Sequence, residues 1–305
     1  MTDPRTAPGG DWPCLALARR VDPDRRWPVF LGEGPAAPRL GSVDRANLDL
    51  LQRAPGLCRV GADAVVLLPP GGQALADRLA PLHQAWREAG RIRAWRDEPY
   101  PWLDEQGTLQ AVIERAASRF WGALTFGAHC NGHVLDAAGR PTHLWIARRS
   151  RHKPTDPGRL DNLIGGGVPH GQTPRQALLR EAWEEAGLTP AQMAGLQPGG
   201  VFELCCEVPE GLQREWLHVY DLALPPGLVP VNQDGEVEEH RLMPVDEALA
   251  RAAAGELTTD AALATLDFAL RHRLLPAAAA APLAARLEAL RVPAARAARF
   301  DPPGA

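Results

Sequence analysis

The segment IGGGVPHGQTPRQALLREAWEEAGL, residues 164–188, constrains the fold more than any other part of the chain. Thr173, Pro174 and Gln176 form a helix start signal, with Thr as N-cap, Pro at the first helical position and Gln at the capping-box position. Gly187 is a typical helix stop. The segment therefore predicts a glycine-rich loop followed directly by a capped helix.

The predicted helix carries three glutamates, Glu181, Glu184 and Glu185. At about 100° per residue they fall within an arc of about 100°. The opposite face, which we expect to pack into the core, carries Leu179, Ala182, Trp183 and Ala186. Like charges at these spacings repel by a few tenths of a kcal/mol per pair, and only Arg180 is adjacent to offset them. Two interpretations follow: a solvated charged face, or a site for a divalent cation such as Mg²⁺, which prefers carboxylate oxygens.

The loop before the helix favours the second interpretation. Its glycines, from Gly165 to Gly171 in GGGVPHG, let the backbone approach a ligand closely. A glycine-rich loop alone is a weak signal, but here it precedes a capped helix with clustered carboxylates. Because Mg²⁺ often bridges carboxylates to substrate phosphates, the combination predicts a site for a metal and a phosphate.

Composition excludes several classes of protein. The chain has 305 residues, of which 45% are hydrophobic and 23% charged, as in ordinary globular proteins. The net charge of -4 gives no basic surplus for nucleic acid or acidic membranes. No run of about 18 apolar residues predicts a membrane span, and the N-terminus lacks the apolar run of a signal peptide. We therefore expect a cytoplasmic protein that binds neither nucleic acid nor membrane.

The five cysteines are scattered and form no CxxC pair. This spacing predicts neither a zinc cage nor a disulfide framework, and reduced thiols are the simplest expectation.

Hydrophobic patterns divide the chain into three parts: an N-terminal accessory domain (1–112), a main domain (113–276) and an Ala-rich C-terminal helix or tail (277–305). In the first part we predict a short helix over 41–55 with Ser42 or Asp44 as its cap, a strand over 64–70 and a helix over 71–90. Its tryptophans are expected in a core or interface rather than a ligand cage.

The main domain is predicted to start with a helix over 108–122. Two strands then follow, over 123–136 and 141–150, joined by the turn AAGR. Beyond the loop and helix described above come another strand over 213–224, a strand, turn and helix over 236–255, and a helix over 258–275. This mixture of strands and helices predicts a layered α/β or α+β fold.

The spacing of the loop and helix resembles the Nudix box, which is G, five residues, E, seven residues, then R-E-U-x-E-E-x-G-U, where U is a bulky aliphatic residue. Gly166, Gln172 and the stretch REAWEEAGL from Arg180 to Leu188 occupy these positions. The resemblance implies a Nudix α/β/α sandwich with a mixed sheet, here preceded by a smaller α+β domain. It also implies a hydrolase that cleaves diphosphates with Mg²⁺ or Mn²⁺.

Two positions depart from the box. Gln172 stands where the family has its first Glu, and Ala182 is smaller than the usual aliphatic residue. In the family the first Glu supports the metal site, so Gln, which keeps the shape and loses the charge, predicts weakened metal affinity.

The resemblance assigns Glu181, Glu184 and Glu185 to the metal site together with the backbone of Gly165. Arg180 would orient the carboxylates by ion pairing.

The backbone of Gly165 and Gly166 would lie beside the metal and the diphosphate. Many family members use a further Glu from a later loop. Glu236 in DGEVEE is our choice, with a solvated loop as an equal alternative.

Several stretches outside the box are similar to a Nudix subgroup related to the N-terminal part of some fungal thiamine pyrophosphokinases. They are FWGALTFGAHCNGHV, LWIARRSRHKPTDPGRLDNLIGGG, VPEGLQREWLHVYDL and PVNQDGEVEEHRLMPVDE, within about residues 112–275. The subgroup is linked to hydrolysis of thiamine diphosphate and its damaged oxo and oxy forms to monophosphates.

This narrower resemblance suggests substrate contacts. Lys153 or Arg159, just before the glycine loop, would hold the diphosphate, with a solvated loop as the alternative. His129 and Asn131, which alternate along a predicted strand, would contact the heterocycle, with a satisfied buried polar pair as the alternative.

Three other functions stay open. One is a Nudix hydrolase of a nucleotide such as ADP-ribose or a dinucleotide, since loops outside the box set the substrate. Another is a catalytically weakened ligand-binding module, which Gln172 supports. The third is isopentenyl-diphosphate isomerase, which shares the fold and uses a Cys and a Glu, with Cys130 as the stand-in. The sequence also leaves open a homodimer and the role of the N-terminal part.

Overall fold

A computed structural model describes residues 10–300. The N-terminal strands are β1 (Arg26–Leu31), β2 (Arg39–Asp44), β3 (Cys58–Val60), β4 (Val65–Leu67), β5 (Pro99–Leu103) and β6 (Leu109–Glu114). The N-terminal helices are α1 (Cys14–Leu17), α2 (Leu48–Gln52), α3 (Gln73–Glu88) and α4 (Arg115–Trp121), with 3₁₀ turns at Pro23–Arg25 and Arg45–Asn47. β2, β1, β4 and β3 form a sheet in that order, and β5 and β6 form an antiparallel hairpin.

A cluster of aromatic rings holds this part together. Trp86, Trp102 and Phe120 surround Trp121, with ring centroids 5.0–5.9 Å from its own. The indole Nε1 of Trp121 donates a hydrogen bond of 2.8 Å to Nε2 of the buried His83. Trp27 and Trp95 pack partly buried against the same core. The tryptophans therefore lie in a core, as the sequence predicts.

The larger sheet lies C-terminal to this core. Its strands are β7 (Leu124–Leu135), β8 (Pro141–Arg149), β9 (Leu160–Asp161), β10 (Ile164–Gly167), β11 (Gln197–Val208), β12 (Gly211–Ala223) and β13 (Val237–Pro244). The helices are α5 (Pro174–Ala186), α6 (Val245–Ala253), α7 (Thr259–Arg271), α8 (Ala277–Glu288) and α9 (Ala294–Ala297). The strand order is β11-β12-β7-β8-β13, with β10 on β7 and β9 on β8. β12 and β7 are parallel and the other pairs antiparallel, so the sheet is mixed.

Both faces of this sheet are covered, because side chains alternate along each strand. On β12, Leu217 and Val219 point into a core with α6, α7 and α8, whereas Trp216 and Leu222 point into a core with α5. The layered α/β/α arrangement predicted for this part is therefore confirmed. The predicted boundary between 112 and 113 falls inside β6, and the division into domains stays a prediction.

Two predicted helices were wrong in their first halves. Residues 109–114 form β6 rather than helix, because the side chains of Ala111 and Ile113, two positions apart, are both buried. Glu114 is the N-cap of α4, and its side chain accepts from the Ala116 N–H. Residues 41–44 belong to β2, where Ser42 lies, and Asp44 caps the 3₁₀ turn by accepting from the Ala46 N–H. In both cases the short apolar run was compatible with the periodicity of a helix and with that of a strand.

No helix within residues 10–300 is long and apolar enough to cross a membrane. All five cysteines are free thiols, as the sequence predicts. The cytoplasmic location stays a prediction.

Replacing His83 with Gln tests the aromatic core. Burial lowers the pKa of His83 to about 3, from 6.5. The unfolded chain therefore binds a proton that the folded chain excludes, and the imidazole costs stability as pH falls below 6.5. Between about pH 7.5 and about pH 5.5 we expect the native chain to lose about 1.4 kcal/mol more than His83→Gln. Urea unfolding at both pH values measures this.

The exposed His152→Gln is the matched control. An equal pH dependence in the native chain and in His83→Gln would contradict the burial of a neutral imidazole.

Candidate active site

The site is built on β10, a strand of glycines that pairs along one edge with β7. α5 packs against it and begins with the predicted capping box: Thr173 Oγ1 accepts from the Gln176 N–H, and the Gln176 side chain accepts from the Thr173 N–H. Gly187 ends the helix with φ 65, in the left-handed region that glycine adopts without strain. The predicted helix is confirmed at both ends.

The face that α5 buries overlaps the predicted one only in part: Ala182 and Ala186 are buried, and Leu179 packs partly buried against the same core. Trp183, predicted to lie in the core, is 53% exposed, whereas Glu181 and Glu185 are 9% and 4% exposed. The reason lies in β10: a Cβ atom on Gly166 would lie 2.3 Å from Cδ of Glu181. Because the glycine has no side chain, the carboxylate fits against the backbone of the sheet.

Glu185 is neutralised within the protein. Its Oε2 accepts from the Gly165 N–H at 2.9 Å, and its Oε1 lies 3.3 Å from Nζ of Lys153. Lys153 Nζ also lies 2.5 Å from Oε2 of Glu236. Lys153 is the single lysine of the chain, and it bridges a glutamate of the box to the glutamate chosen from the later loop.

Arg180 pairs with the other two glutamates of α5. Its guanidinium lies 2.9 Å from Glu181 and 2.8 Å from Glu184. This is the ion pairing that the family resemblance implies for Arg180.

Burial is the main influence on the pKa of both inner glutamates. It raises the pKa of Glu181, and the charge of Glu185 raises it further. Burial also raises the pKa of Glu185, although Lys153 partly offsets the effect. Such a crowded pair of carboxylates gains more from a nearby cation than exposed glutamates do.

The donor chemistry of this cluster fits a hard divalent cation. Glu181, Glu184 and Glu185 supply carboxylate oxygens beside the bare backbone of Gly165 and Gly166. Within residues 10–300, however, no three His, Cys, Asp or Glu side chains converge as a metal site. Lys153 and Arg180 occupy the carboxylates instead, so a metal would have to displace these pairs.

A polar cleft of about 290 Å³ opens beside the cluster. Its polar lining includes Arg96, Glu98, Arg115, Arg149, Lys153, Arg180, Glu181, Glu184 and Glu236, with Gly165 and Gly166. Glu185 is buried behind this lining. The structure therefore brings Glu181 and Glu184 of the box together with Lys153 and Glu236 at one cleft, and the roles of these residues stay predictions.

No sequence signal pointed to Arg96, Glu98 and Arg115 as residues of the cleft. They precede Gly166, the first residue of the box, by about 50 to 70 positions and belong to no recognisable motif. Arg149 was missed as well: it lies near the end of a predicted strand, and its guanidinium pairs with the buried Asp161 at 2.8 Å.

Three predicted substrate contacts do not line the polar cleft. Arg159 donates to the carbonyls of Gly255 and Leu257. Asn131 is 2% exposed and donates to Asp221 and to the Ala264 carbonyl.

His129 is also buried, and its Nδ1 lies 3.0 Å from Oδ1 of Asn162. These contacts favour the alternative that the sequence left open for His129 and Asn131, a satisfied buried polar pair. A substrate role for either residue, or for Arg159, stays a prediction.

Gln172 does not line the polar cleft either. It borders a separate apolar cavity whose lining includes Leu103, Phe126, Val168, Trp216, His218 and Phe300. Its Oε1 is buried and has no hydrogen-bond partner in the protein. The family's first Glu position is therefore uncharged and unpaired here.

Cys130, the stand-in for an isomerase cysteine, is 0% exposed in the core beneath α5. Burial raises the pKa of its thiol. It does not line the polar cleft, which disfavours proton transfer by this residue.

A known protein family matches the part of the chain that contains this site. Residues 131–263 match the NUDIX domain model. This part of the chain is a Nudix domain. The match starts within β7 and ends within α7, so it includes the glycine strand, α5 and Glu236.

Parts of the chain are similar to two longer curated proteins and to a shorter solved structure. It is 38% identical over 164 residues to "Nudix hydrolase 24, chloroplastic" of Arabidopsis thaliana, covering 53% of this chain and 44% of the relative. It is 30% identical over 211 residues to an uncharacterized protein of Saccharomyces cerevisiae, covering 65% and 61%. A solved structure from Deinococcus radiodurans has a TM-score of 0.42 and 25% identity, covering 53% of this chain and 92% of its own. The chain thus spans 44% to 61% of these two curated relatives' length.

Replacing Lys153 with Met tests the buried ion pairs beneath the Nudix helix. Glu185 would keep one hydrogen bond and lose its cation in a buried site. We expect a loss of about 3–5 kcal/mol in the free energy of unfolding, measured by urea unfolding at neutral pH without divalent metal.

The double variant Lys153→Met/Glu185→Gln removes the unpaired charge and is expected to recover most of that loss. A loss below about 1 kcal/mol in the single variant, near the value of a surface pair, would show that Lys153 does not neutralise Glu185.

Proposed function

We propose that the protein is a diphosphohydrolase that depends on a divalent metal, Mg²⁺ or Mn²⁺. The observation that carries the proposal is the burial of Glu181 and Glu185 against the glycine strand, at the wall of a cleft with cationic side chains. Clustered carboxylates bind metal, and the adjacent cations bind phosphate oxygens. The position of this cluster within a Nudix domain supports the same chemistry.

In the proposed reaction, water attacks one phosphorus of the diphosphate. A new P–O bond forms, the bridging P–O bond breaks, and the products are a monophosphate and phosphate with release of a proton. A metal bound by Glu181, Glu184 and Glu185 with the Gly165 backbone would neutralise the diphosphate and lower the pKa of the attacking water. Arg180 orients the carboxylates.

The remaining side chains of the proposed site position the substrate. Lys153, on the floor of the cleft, holds a phosphate oxygen, and the backbone of Gly165 and Gly166 lets the diphosphate approach closely. Glu236 is the additional glutamate of the later loop, and its contact with Lys153 places it beside the box.

The proposed substrate is thiamine diphosphate or an oxidised analogue. Its support is the similarity of four sequence stretches to the subgroup related to thiamine pyrophosphokinases. ADP-ribose or another nucleoside diphosphate derivative is the alternative substrate for the same site.

A ligand-binding module with weakened catalysis is the second candidate function. Gln172 favours it, because an uncharged side chain with an unpaired Oε1 replaces the family's first Glu. Lys153 and Arg180 also compete with a metal for the carboxylates. Metal-dependent turnover separates the two candidates.

Turnover of four substrates tests the activity: thiamine diphosphate, oxythiamine diphosphate, ADP-ribose and a dinucleoside polyphosphate. Products are identified by chromatography, since ADP-ribose cleavage yields two monophosphates and no free phosphate. We expect Mg²⁺-dependent hydrolysis of the thiamine compounds, lost on adding a chelator. Glu185→Gln should lower kcat/KM at least about 100-fold, because it removes a carboxylate from the metal site.

Turnover of ADP-ribose alone would support the proposed hydrolase activity and would exclude thiamine diphosphate as the substrate. No turnover by a folded chain would favour the ligand-binding module, and a gain of activity in Gln172→Glu would then identify the cause.

Replacing Gly166 with Ala tests the glycine strand. The added Cβ would meet Glu181 at 2.3 Å, so the carboxylate must leave its position. We expect a fall of at least about 10-fold in kcat/KM and weaker activation by Mg²⁺, measured with the best substrate of the panel.

Gly195→Ala is the matched control, because its Cβ would lie 4.0 Å from the nearest atom, on Leu222. Equal activity in both variants would show that the position of Glu181 is unimportant.

A further inference from the structure

Arg96 reaches the polar cleft from outside the Nudix domain. It lies between α3 and β5, whereas the family match begins at residue 131. Its Nη1 lies 3.1 Å from Oε1 of Glu236, whose other oxygen contacts Lys153. One carboxylate thus pairs with two cations at the cleft, the buried Lys153 and the partly exposed Arg96.

The backbone around Arg96 is held in an uncommon conformation. Ala94 and Asp97, on either side, have φ values of 60 and 58, in the left-handed region that residues other than glycine rarely adopt. Such conformations persist where the surrounding contacts enforce them, and they concentrate at functional sites.

The contacts that enforce this conformation come from Glu114. Its two carboxylate oxygens accept from the backbone N–H groups of Arg96 and Glu98, at 2.8 and 3.0 Å. The indole of Trp95 donates to Asp97, and Arg87 lies over the Trp95 ring at 4.9 Å. The segment is therefore fixed so that the Arg96 side chain enters the cleft.

Glu98 connects the same segment to α5. Its carboxylate lies 2.9 Å from Arg115 and 3.7 Å from Arg180, the arginine that pairs with Glu181 and Glu184. The segment 94–98 thus contacts both glutamate groups of the site, Glu236 through Arg96 and the box through Glu98.

From this geometry we infer that Arg96 is a further phosphate-binding residue of the site, which holds the diphosphate of the substrate. Its planar guanidinium matches two phosphate oxygens, which a lysine ammonium does not. Glu236 holds the guanidinium in place before the ligand binds. The inference rests on the proposed function in one respect, that the ligand is a diphosphate.

Binding of methylenediphosphonate to the full chain tests the inference, because its P–C–P bridge cannot be hydrolysed. Calorimetry in the presence of Mg²⁺ gives Kd for the native chain, Arg96→Met and Arg96→Lys. We expect Kd to rise at least about 10-fold in Arg96→Met, and by less in Arg96→Lys, which keeps the charge. The control is Arg93→Met, because Arg93 is an exposed arginine just before the segment 94–98 and donates to the Gly90 carbonyl. Its Kd should stay within about twofold of the native value.

A double-mutant cycle with Glu236→Gln distinguishes direct binding of phosphate by Arg96 from an indirect effect in which Arg96 only positions Glu236. If Arg96 contacts phosphate, Arg96→Met still raises Kd in the Glu236→Gln background. If Arg96 acts only by holding Glu236, its replacement has no further effect there, and the inference is overturned. Urea unfolding of each variant shows that the fold is kept.

Kinetics with the best substrate supply a second readout. Arg96→Met should raise KM about 10-fold or more, with a smaller change in kcat. Diphosphonate binding that depends on Arg96 in a chain without turnover would support the inference and reject the proposed hydrolysis. Turnover with Kd and KM unchanged in Arg96→Met, or absence of diphosphonate binding by the native chain, would overturn the inference.

Discussion

The contact between α5 and the glycine strand β10 is the constraint on which the site depends. Two glutamates of an amphipathic helix are turned toward a sheet, where apolar side chains normally pack. Gly166 makes this arrangement sterically possible, and Gly165 provides a backbone N–H for Glu185. Buried carboxylates need cations, so Lys153 and Arg180 complete the arrangement from a loop and from the helix itself.

The same cations connect the cluster of glutamates to the N-terminal part of the chain. Lys153 contacts Glu236, Glu236 contacts Arg96, and Arg180 contacts Glu98. Through these ion pairs the segment before β5 becomes part of the cleft wall. The N-terminal part is thus joined to the Nudix domain at the site, in addition to its own aromatic core around Trp121.

Prediction from sequence was accurate where the signal is local. The cap at Thr173, the stop at Gly187 and the hairpin of β7 and β8 depend on residues adjacent in the chain, and all were found. Residues 109–114 were mistaken for helix because a short apolar run fits either period until its packing partners are known. Trp183 was placed in the core because periodicity shows that two faces differ without showing which face meets the sheet.

By itself the sequence determined the box, its helix and the set of carboxylates, because these depend on residue type and on spacing over some twenty residues. Only the tertiary structure decided which face of α5 is buried, that Lys153 pairs with Glu185, and that Arg96 reaches the cleft. Lys153 and Glu185 are 32 positions apart in the chain, and Arg96 and Glu236 are 140 positions apart. These contacts follow from how the strands and helices pack, and no local pattern in the chain encodes that packing.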